Sequence, residues 1–358
     1  MKTAVVILNW NTKDYLKRFL PGLLESCEGA DAQVIVADSA STDGSMEMMA
    51  REFPAVHRIG LDANYGFTGG YNRALAQVDA ELFVLINSDV EVTPGWLAPL
   101  TEWMDAHPDC GACAPKLLSW YDHIRFEYAG AAGGLIDRWG YTFCRGRVLK
   151  RVEKDEGQYD APADVLWATG ACLMVRSSVW RHFGGLDERF FAHMEEIDLC
   201  WRMQLEGWKV QVVPASVVWH LGGGTLPSNS PWKLQLNFRN NLLLLENNLA
   251  RTFVSEGTRP AKALRRANRK IGIRMMLDGG SALVYALTGK WDYLKAVYKA
   301  HEEYRTLRRP VTIAELEAYQ ARFGGKARVA GRWKGCILVQ ALLRKDGIFA
   351  YLRSRNHS

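Results

Sequence analysis

Three carboxylates are crowded into four positions of the segment FFAHMEEIDLCWR, which spans residues 190–202. They are Glu195, Glu196 and Asp198, and they stand among apolar side chains. Like charges at this spacing repel one another, and a folded core normally excludes them. A carboxylate held in such a place can act as a general base, taking the proton from a hydroxyl whose oxygen attacks. The segment is therefore the first candidate for catalysis.

The same segment has helical periodicity, which predicts a helix from about Glu195 to Glu206. Asp198 and Arg202 are four positions apart, as are Arg202 and Glu206, so these three side chains can pair along one face. A structural role therefore accounts for Asp198. Glu195 and Glu196 fall in the first turn, where the helix dipole favours an ionised carboxylate. These two acids are the candidates for the base.

Polar residues follow three apolar runs that have the pattern of strands. Asn9 ends the first strand, Asp38 ends the second, and Asn87-Ser88-Asp89 follows the fourth. Open parallel sheets bind ligands beyond the carboxyl ends of their strands. Asp38 can accept hydrogen bonds from a ribose or a base, or it can simply form the turn before the next helix. Asp89 can hold a divalent cation that bridges a diphosphate, or it can belong to an ordinary strand-ending turn.

A glycine-rich loop, LDANYGFTGGYNRAL, spans residues 61–75 and leads into a helix. Gly66, Gly69 and Gly70 allow close approach of the backbone to a ligand, and a helix N-terminus favours phosphate. Such loops are common, so this motif alone is weak support for a phosphate site. No GxGxxG motif follows the first strand, which argues against a dinucleotide-binding site.

The elements that must position these residues follow from the apolar pattern. Continuous apolar strands alternate with helices through the first hundred residues, which predicts a parallel sheet covered on both faces. We expect strands at Ala4–Asn9, Gln33–Asp38, Val56–Leu61, Glu81–Asn87, Gly111–Lys116, Ala168–Arg176, Trp208–Pro214 and Ser216–His220, and helices at Tyr15–Ser26 (interrupted at Pro21), Gly44–Glu52, Gly69–Val78 and Trp96–Ala106. After Asn247 the pattern is helical and basic.

Composition narrows the class of protein. The 358 residues are 48% apolar and 23% charged, as in ordinary soluble globular proteins. No apolar run approaches the roughly 18–20 residues of a membrane span, and the N-terminal apolar run lacks a signal-peptide cleavage site, so it is predicted to be the first strand. Seven scattered cysteines favour a reducing cytosol. Cys110 and Cys113 form a CxxC without a second pair, which favours core packing over a metal or redox role.

The net charge of +6 conceals an asymmetry. Residues 246–358 carry 23 Lys+Arg against 9 Asp+Glu, whereas residues 1–245 carry 22 against 30. The basic residues are densest over Arg251–Arg274, which has the pattern of one helix. This segment can be a solvated helix face, or it can be attracted to phospholipid headgroups or to a lipid-phosphate substrate. Nucleic acid is a weaker alternative, because no nucleic-acid-binding motif accompanies the charge.

Seven ordered motifs resemble a known family: ILNWN, VADSASTDGS, NYGFTGGYN, INSD, TGACLMVR, GGLDERFFAHMEEIDLCWR and HLGGG. The set is similar to the inverting family-two glycosyltransferases, particularly the bacterial rhamnosyltransferase-like branch. The resemblance implies the α/β GT-A fold, with a Rossmann-like, mostly parallel central sheet. It also implies sugar transfer, with inversion, from a nucleotide-sugar donor to an acceptor hydroxyl. The implied cofactor is Mn²⁺ or Mg²⁺, and the implied process is bacterial cell-surface polysaccharide or glycan synthesis.

The resemblance also assigns residues on the donor side. Asp38 would contact the nucleoside, and Asn9 would lie beside it. The glycine-rich motif would bring Asn64, Gly66 and Asn72 to the nucleotide-sugar pocket.

The INSD motif matches the DxD-type element of the family. Asp89 is therefore the implied metal ligand, and Asn87 replaces the first acid of the element. His220 matches a position that can reach the metal or the diphosphate, although a lone histidine at a strand end can equally be structural.

On the acceptor side, the base in the family is the second residue of a Glu-Asp pair. Glu196 occupies that position and is one methylene longer than the usual Asp. The expectation is that Glu196 acts as the base and that Glu195 positions the acceptor.

These inferences predict a GT-A domain over residues 1–245 and a basic, mainly helical C-terminal region over residues 246–358. The implied acceptor is a glycan or a polyprenyl-diphosphate-linked sugar, and the basic region would hold the enzyme at an anionic membrane surface. The expected location is the cytoplasm, at the inner face of the cell membrane. Two alternative functions are a non-catalytic nucleotide-sugar-binding relative, against which the retained Glu195 and Glu196 argue, and a nucleic-acid-binding protein that depends on the basic region.

Overall fold

Strands and helices alternate over the first hundred residues, and helices dominate after residue 230. The computed structural model describes residues 1–222, 230–325, 327–344 and 347–355. The strands of this described part are β1 (Thr3–Asn9), β2 (Ala32–Ser39), β3 (His57–Leu61), β4 (Leu82–Ile86), β5 (Val90–Val92), β6 (Cys110–Ser119), β7 (Gly134–Asp137), β8 (Thr142–Cys144), β9 (Arg147–Val148), β10 (Arg151–Val152), β11 (Ala163–Asp164), β12 (Cys172–Arg176), β13 (Lys209–His220) and β14 (Arg332–Trp333). The helices are α1 (Lys13–Ser26), α2 (Ser45–Glu52), α3 (Gly66–Leu75), α4 (Leu97–Ala106), α5 (Ser177–His182), α6 (Glu195–Leu205), α7 (Pro231–Ser255), α8 (Pro260–Leu287), α9 (Trp291–Leu307), α10 (Ile313–Phe323), α11 (Ile337–Leu343) and α12 (Ile348–Arg355).

The larger sheet has the strand order β11-β13-β6-β12-β4-β1-β2-β3, and β5 pairs with β13. Strands β4, β1, β2 and β3 run parallel, while β12 is antiparallel to both β4 and β6. The register sets Asn9 directly beside Asp38 at the carboxyl ends of β1 and β2. The predicted parallel arrangement of the first four strands is confirmed, and the polar strand ends share one edge of the sheet.

Both faces of the sheet are buried, as the continuous apolar strands predict. Along β1, Val5 and Ile7 pack into one hydrophobic cluster with residues of α1, α2 and α4. Ala4 and Val6 point the other way, into a second cluster with residues of α3, α6 and α7. Because successive side chains of a strand alternate between faces, an unbroken apolar run supplies both clusters.

A smaller sheet joins the middle of the chain to its C-terminal part. Its order is β10-β9-β8-β7-β14, and β14 pairs in parallel with β7. Leu135 and Phe143 of this sheet pack with Ile337 of α11 and Ile348 of α12. No strand or helix is predicted between Lys116 and Ala168, and residues 120–167 of this segment are ordered partly by residues that come more than a hundred positions later.

Helix α7 continues across the predicted domain boundary between residues 245 and 246. Leu245 and Phe253, on either side of that point, belong to the same buried cluster as β1. The carboxylate of Glu246 is buried and accepts hydrogen bonds from the Tyr304 hydroxyl and the Arg308 guanidinium, 2.9 Å each. Helix α9 is therefore fastened to α7 by a buried carboxylate.

Three predicted details are wrong. Helix α1 is not interrupted at Pro21, because this proline is exposed and water can satisfy the carbonyl that loses its partner. The two strands predicted from residue 208 to 220 are one strand, β13, with a register shift between Val213 and Val217 that accommodates Pro214. The basic segment Arg251–Arg274 is not one helix, since α7 ends at Ser255 and α8 begins at Pro260.

Candidate active site

Asn9 and Asp38 form the centre of a hydrogen-bonded network at the ends of β1 and β2. Asn9 is fully buried, and its Nδ2 donates to Asp38 Oδ1 (2.6 Å) and to Ser45 Oγ (2.9 Å). Asp38 Oδ2 accepts from the backbone N–H of Ser41 at 3.0 Å. Both predicted donor-side residues are thus brought together, and both brace the loop that leads into α2.

The glycine-rich motif places its predicted residues in three different settings. Asn64 is exposed, and its Oδ1 accepts from the Gly66 N–H at 2.8 Å. Gly66 has φ of +70°, and an added Cβ would lie 2.6 Å from the carbonyl oxygen of Phe191. Only glycine fits here, because the backbone is left-handed and the segment that precedes α6 passes against it.

Asn72 has a structural role that the sequence did not predict. Its Nδ2 donates to the Leu186 carbonyl (2.8 Å), and its Oδ1 accepts from the Leu186 N–H (2.9 Å). This pair of bonds ties α3 to the GGLDERFF segment before α6. The side chain therefore lies between the glycine-rich motif and the segment that carries the predicted base.

Asp89 and His220 lie together at the end of the sheet. His220 Nε2 is 3.2 Å from Asp89 Oδ1, and both side chains are more than nine-tenths buried. The backbone supports this contact, since β13 pairs with β5 and the Leu221 N–H donates to the Asp89 carbonyl at 3.0 Å. The last two glycines of the HLGGG motif lie outside the described residues.

Glu127 is a third buried acid at this position, and the sequence did not single it out. Its Oε2 is 3.4 Å from His220 Nδ1. Burial alone would lower the pKa of His220, but the charge of Glu127 and the hydrogen bond with Asp89 outweigh it and raise that pKa to about 10. The imidazole lies between two carboxylates, whose charges favour its protonated form.

The donor set at this edge is chemically suited to a divalent cation. Carboxylate oxygens suit Mg²⁺ and Mn²⁺, and an imidazole nitrogen favours Mn²⁺ over Mg²⁺. His220 Nδ1 is buried and lies 3.4 Å from Glu127 Oε2 without forming a hydrogen bond of good geometry. Over the described residues, no three His, Cys, Asp or Glu side chains stand in an arrangement that would hold a metal ion as they are. The residues fit the cation in kind, because Asp89 would supply an oxygen ligand and a neutral His220 a nitrogen ligand.

Glu195 and Glu196 open α6, as predicted. A buried carboxyl oxygen of each, Oε2, has no hydrogen-bond partner. Glu195 is 4% exposed, while the side chain of Glu196 is half-buried with its tip enclosed. An unpartnered carboxyl oxygen at a helix start is free to accept a hydrogen bond from a bound hydroxyl.

The expectation that the helix dipole keeps both acids ionised is wrong. Burial raises the pKa of Glu196 to about 7, and the backbone amides at the start of α6 and at Gly170 only partly oppose it. Burial and the nearby charge of Glu196 raise the pKa of Glu195 well above its ordinary range. Desolvation outweighs the dipole here because the charged form loses more from leaving water than it gains from the helix end.

Asp198 has the structural role predicted for it. Its Oδ2 accepts from Arg202 Nε at 2.7 Å, and its Oδ1 accepts from the side-chain amides of Asn247 and Asn248. The predicted contact between Arg202 and Glu206 is replaced, since Glu206 lies 2.8 Å from His182 instead. Asp198 is fully buried, and its two contacts with Asn247 and Asn248 hold α6 against α7.

The backbone before α6 is strained. Phe191, His193 and Met194 all have positive φ, at 61°, 71° and 70°. Residues other than glycine adopt this conformation at a cost and keep it only where their surroundings impose it. Asn240 of α7 supplies part of this constraint, because its Nδ2 donates to the carbonyls of Phe190 (3.0 Å), Ala192 (2.7 Å) and His193 (2.7 Å).

The INSD motif and the start of α6 both contact the short turn before β12. The Asn87 N–H donates to the Ala171 carbonyl at 3.0 Å. A Cβ added at the neighbouring Gly170 would lie 3.7 Å from Cβ of Glu196. The same turn therefore supports the backbone of the INSD motif and the side chain of the base candidate.

Sequence reasoning missed Glu127 and Asn240. Glu127 lies in the irregular segment, where no period marks a buried acid. Asn240 and Asn241 begin the otherwise apolar helical stretch NNLLLL. Two adjacent amides in such a stretch are the sequence feature that indicates a buried hydrogen-bonding role.

Comparison with known proteins identifies the family. The family described as Glycosyl transferase family 2 matches residues 4–122, and the one described as Glycosyl transferase family group 2 matches residues 82–297. An N-acetylglucosaminyl-diphospho-decaprenol L-rhamnosyltransferase of Mycobacterium tuberculosis is 30% identical over 231 residues, covering 60% of this chain and 75% of the relative. The rhamnosyltransferase WbbL of Escherichia coli is 23% identical over 224 residues, covering 59% and 80%.

Two solved structures share the fold at 15% identity. A mannosyltransferase of Pyrobaculum calidifontis, PcManGT, was solved with GDP-Man and Mn²⁺. It matches with a TM-score of 0.50, and the match covers 99% of this chain and 86% of the mannosyltransferase chain. GalNAc-T7, solved with UDP, GalNAc and Mn²⁺, matches with a TM-score of 0.53, and the match covers 72% of this chain and 50% of the GalNAc-T7 chain. With the rhamnosyltransferase relatives and the matched family descriptions, these likenesses show that the chain has the GT-A fold and belongs to glycosyltransferase family 2, in its rhamnosyltransferase-like branch.

Proposed function

We propose that this glycosyltransferase moves a sugar, with inversion, from a nucleotide-sugar donor to a hydroxyl of a polyprenyl-diphosphate-linked acceptor. The observation that carries the proposal is the Glu196 carboxyl, which is buried at the tip, unpartnered at Oε2 and raised in pKa to about 7. A base is most effective when its pKa lies near the working pH. The mycobacterial relative, whose name specifies a diphospho-decaprenol acceptor, supports the acceptor class.

The donor would lie along the carboxyl edge of the sheet. Asp38 and Asn9 would face the nucleoside, since each Asp38 oxygen can accept one hydrogen bond beyond those it already accepts. Asn64, Gly66 and Asn87 would border the sugar diphosphate. Asn72 would not touch the donor but would position the segment before α6 through its two hydrogen bonds with the Leu186 backbone.

Asp89 and His220 would hold a divalent cation, Mn²⁺ or Mg²⁺. When bound, the cation supplies positive charge to the diphosphate leaving group. Both structural neighbours named above were solved with Mn²⁺. Glu127 would stay beside His220 and keep the local charge balanced.

The chemical step would depend on the residues at the start of α6. Glu196 would take the proton from the acceptor hydroxyl as its oxygen attacks the anomeric carbon on the face opposite the diphosphate. Glu195, with its pKa raised further, would remain protonated and donate a hydrogen bond to the acceptor. One displacement inverts the configuration at the anomeric carbon.

A donor screen with a lipid-linked acceptor tests this function. Each candidate nucleotide sugar is incubated with a polyprenyl-diphosphate-linked sugar and Mn²⁺, and nucleotide diphosphate release and the glycosylated product are measured together. The proposal predicts product that depends on the acceptor and has the inverted anomeric configuration by NMR. A product with the configuration retained, or transfer only to acceptors without a lipid diphosphate, would contradict it.

A further inference from the structure

One exposed face of α8 changes from basic to apolar along its length. Residues three, four or seven positions apart share a helix face, and Lys262, Arg265 and Arg269 are exposed on one face in the first half. Continuing at the same spacing, Met276, Leu283 and Leu287 occupy the second half. These three apolar side chains are 76%, 60% and 78% exposed. The described residues leave this face uncovered along about 40 Å of helix.

The apolar half continues onto the start of α9. The rings of Tyr285 and Tyr293 lie 5.4 Å apart and join the end of α8 to α9. Trp291 and Tyr298 of α9 are 60% and 68% exposed. We call the segment from Met276 to Tyr298 the hairpin tip.

Lysines stand among the apolar residues of the hairpin tip. Lys290 and Lys295 of the tip are exposed, and so is Lys299 directly after it. Of the two acids in the tip, Asp278 is buried and paired with Arg274 at 2.9 Å, and Asp292 is exposed. Three exposed lysines against one exposed acid leave the accessible charge here positive. Aliphatic side chains with Trp, Tyr and Lys around them are typical of surfaces that enter the headgroup region of a bilayer.

We propose that the hairpin tip and the basic half of α8 form a docking surface for anionic phospholipid. The apolar tip enters the headgroup region, and Lys262, Arg265 and Arg269 contact the lipid phosphates along the same helix face. The inference deepens the proposed function, because a polyprenyl-linked acceptor lies in a membrane. No helix of the described residues is long and apolar enough to cross a bilayer.

Charge complementarity selects lipid over a second copy of this chain. A symmetric pair that buried the apolar half would bring two basic halves, and the lysines of two tips, toward one another. An anionic bilayer satisfies both halves of the face at once. Attraction of this kind weakens with salt, whereas burial of the apolar tip does not.

The test is co-sedimentation of the full chain with vesicles of phosphatidylcholine alone or with 30 mol% phosphatidylglycerol. Two variants change only exposed side chains: the tip variant Leu283→Gln/Leu287→Gln, and the basic variant Lys262→Gln/Arg265→Gln/Arg269→Gln. A charge-matched control, Lys17→Gln/Arg51→Gln/Lys150→Gln, removes three exposed cations from other surfaces. We expect wild type and control to bind the anionic vesicles, and each of the two variants to bind roughly tenfold or more weakly.

Several results would overturn the docking surface. One is failure of the wild type to bind anionic vesicles. Another is a tip variant or basic variant that binds these vesicles as tightly as the control does. A dimer in lipid-free solution that the tip variant loses would assign the face to a second copy. Sugar transfer to a detergent-solubilised acceptor is measured on the same preparations. If both variants lose vesicle binding but keep transfer, the docking surface acts in membrane binding and not in the chemical step. If the wild type, the control and the variants all lack transfer, that result counts against the proposed function alone.

Discussion

At the scale of single residues, the site depends on two adjacent glutamates in unequal surroundings. Glu195 is 4% exposed and Glu196 is half-buried, yet burial dominates the pKa of both. Burial therefore favours the protonated form of both carboxyls relative to an ordinary glutamate. In the proposed mechanism Glu196 is the one that ionises, and Glu195 stays protonated.

The pH dependence of transfer follows from this assignment. Because the base must be deprotonated, kcat/KM is expected to rise with pH along a limb centred near 7, whereas an ordinary glutamate would place that limb near 4.5. Glu195→Gln replaces a protonated carboxyl with a neutral amide of similar shape, so this limb is expected to stay in place. Initial rates from pH 5 to 9 provide the measurement. A wild-type limb below pH 5.5, or one that moves by more than a unit in Glu195→Gln, would speak against the assignment.

The same shifts affect stability. Both carboxyls have raised pKa values in the folded state, so the folded protein holds protons that the unfolded chain releases. Their contribution to stability is fully present below about pH 4.5 and is lost as pH rises through 7 and beyond. The Tm of the wild type is therefore expected to fall more between pH 5 and pH 8 than the Tm of Glu195→Gln. Calorimetry of both proteins checks this, and an equal change in Tm would contradict it.

At the scale of elements, α7 holds the strained segment that leads into α6. Asn240 donates to three carbonyls of that segment, and Arg239 donates to one of them, the Phe190 carbonyl, at 2.7 Å. Thr68 of α3 donates its N–H to the Phe191 carbonyl from the other side, at 3.1 Å. Residues far apart in the chain thus fix the direction in which α6 starts.

Asn240→Ala is expected to loosen this segment. Loss of the donor leaves buried carbonyls unsatisfied and should cost about 1–3 kcal/mol of unfolding free energy. Displacement of Glu196 by an ångström or so should lower kcat by about 10²-fold. Asn237→Ala, on the same helix, removes only a bond to the carbonyl of Lys233 and serves as the control. Equal kcat values in the two variants, with the donor Kd unchanged in both, would show that Asn240 does not position the base.

The elements differ in how far the sequence predicts them. Strands β1, β2 and β4 are predictable, since each is an unbroken apolar run that ends in a polar residue. So is the start of α6 at Glu195. The positive φ values at Phe191 and His193 are not, because the contacts that impose them come from α7 and α3. Glu127 escapes prediction for a similar reason: only the fold brings it beside His220.

At the scale of the whole molecule, the C-terminal region is part of the folded core and not a separable tail. Helix α7 contributes to the same buried cluster as the sheet, and Tyr319 of α10 donates its hydroxyl to the Leu205 carbonyl at the end of α6. Strand β14 completes the smaller sheet. The predicted boundary between 245 and 246 therefore marks a change in charge more clearly than a change in packing.

Truncation tests this view. A chain that ends at residue 245 cuts α7 and removes α8 to α10, so it is expected to lack a cooperative unfolding transition. A chain that ends at residue 325 keeps those helices and loses only β14, α11 and α12, so it should fold with a lower Tm. Circular dichroism and thermal unfolding compare the two. A cooperative transition in the chain that ends at 245 would contradict this account.

The measurement that tests the central claim most directly is single-turnover transfer by Glu196→Gln, on an acceptor that the wild type is shown to use. Glutamine keeps the shape of the side chain but cannot take a proton. The single-turnover rate constant is therefore expected to fall roughly 10²- to 10⁴-fold. The donor Kd should stay unchanged, since the proposed nucleotide contacts are made by Asn9 and Asp38 and not by Glu196. Transfer by Glu196→Gln at the wild-type rate would contradict the assignment of Glu196 as the base.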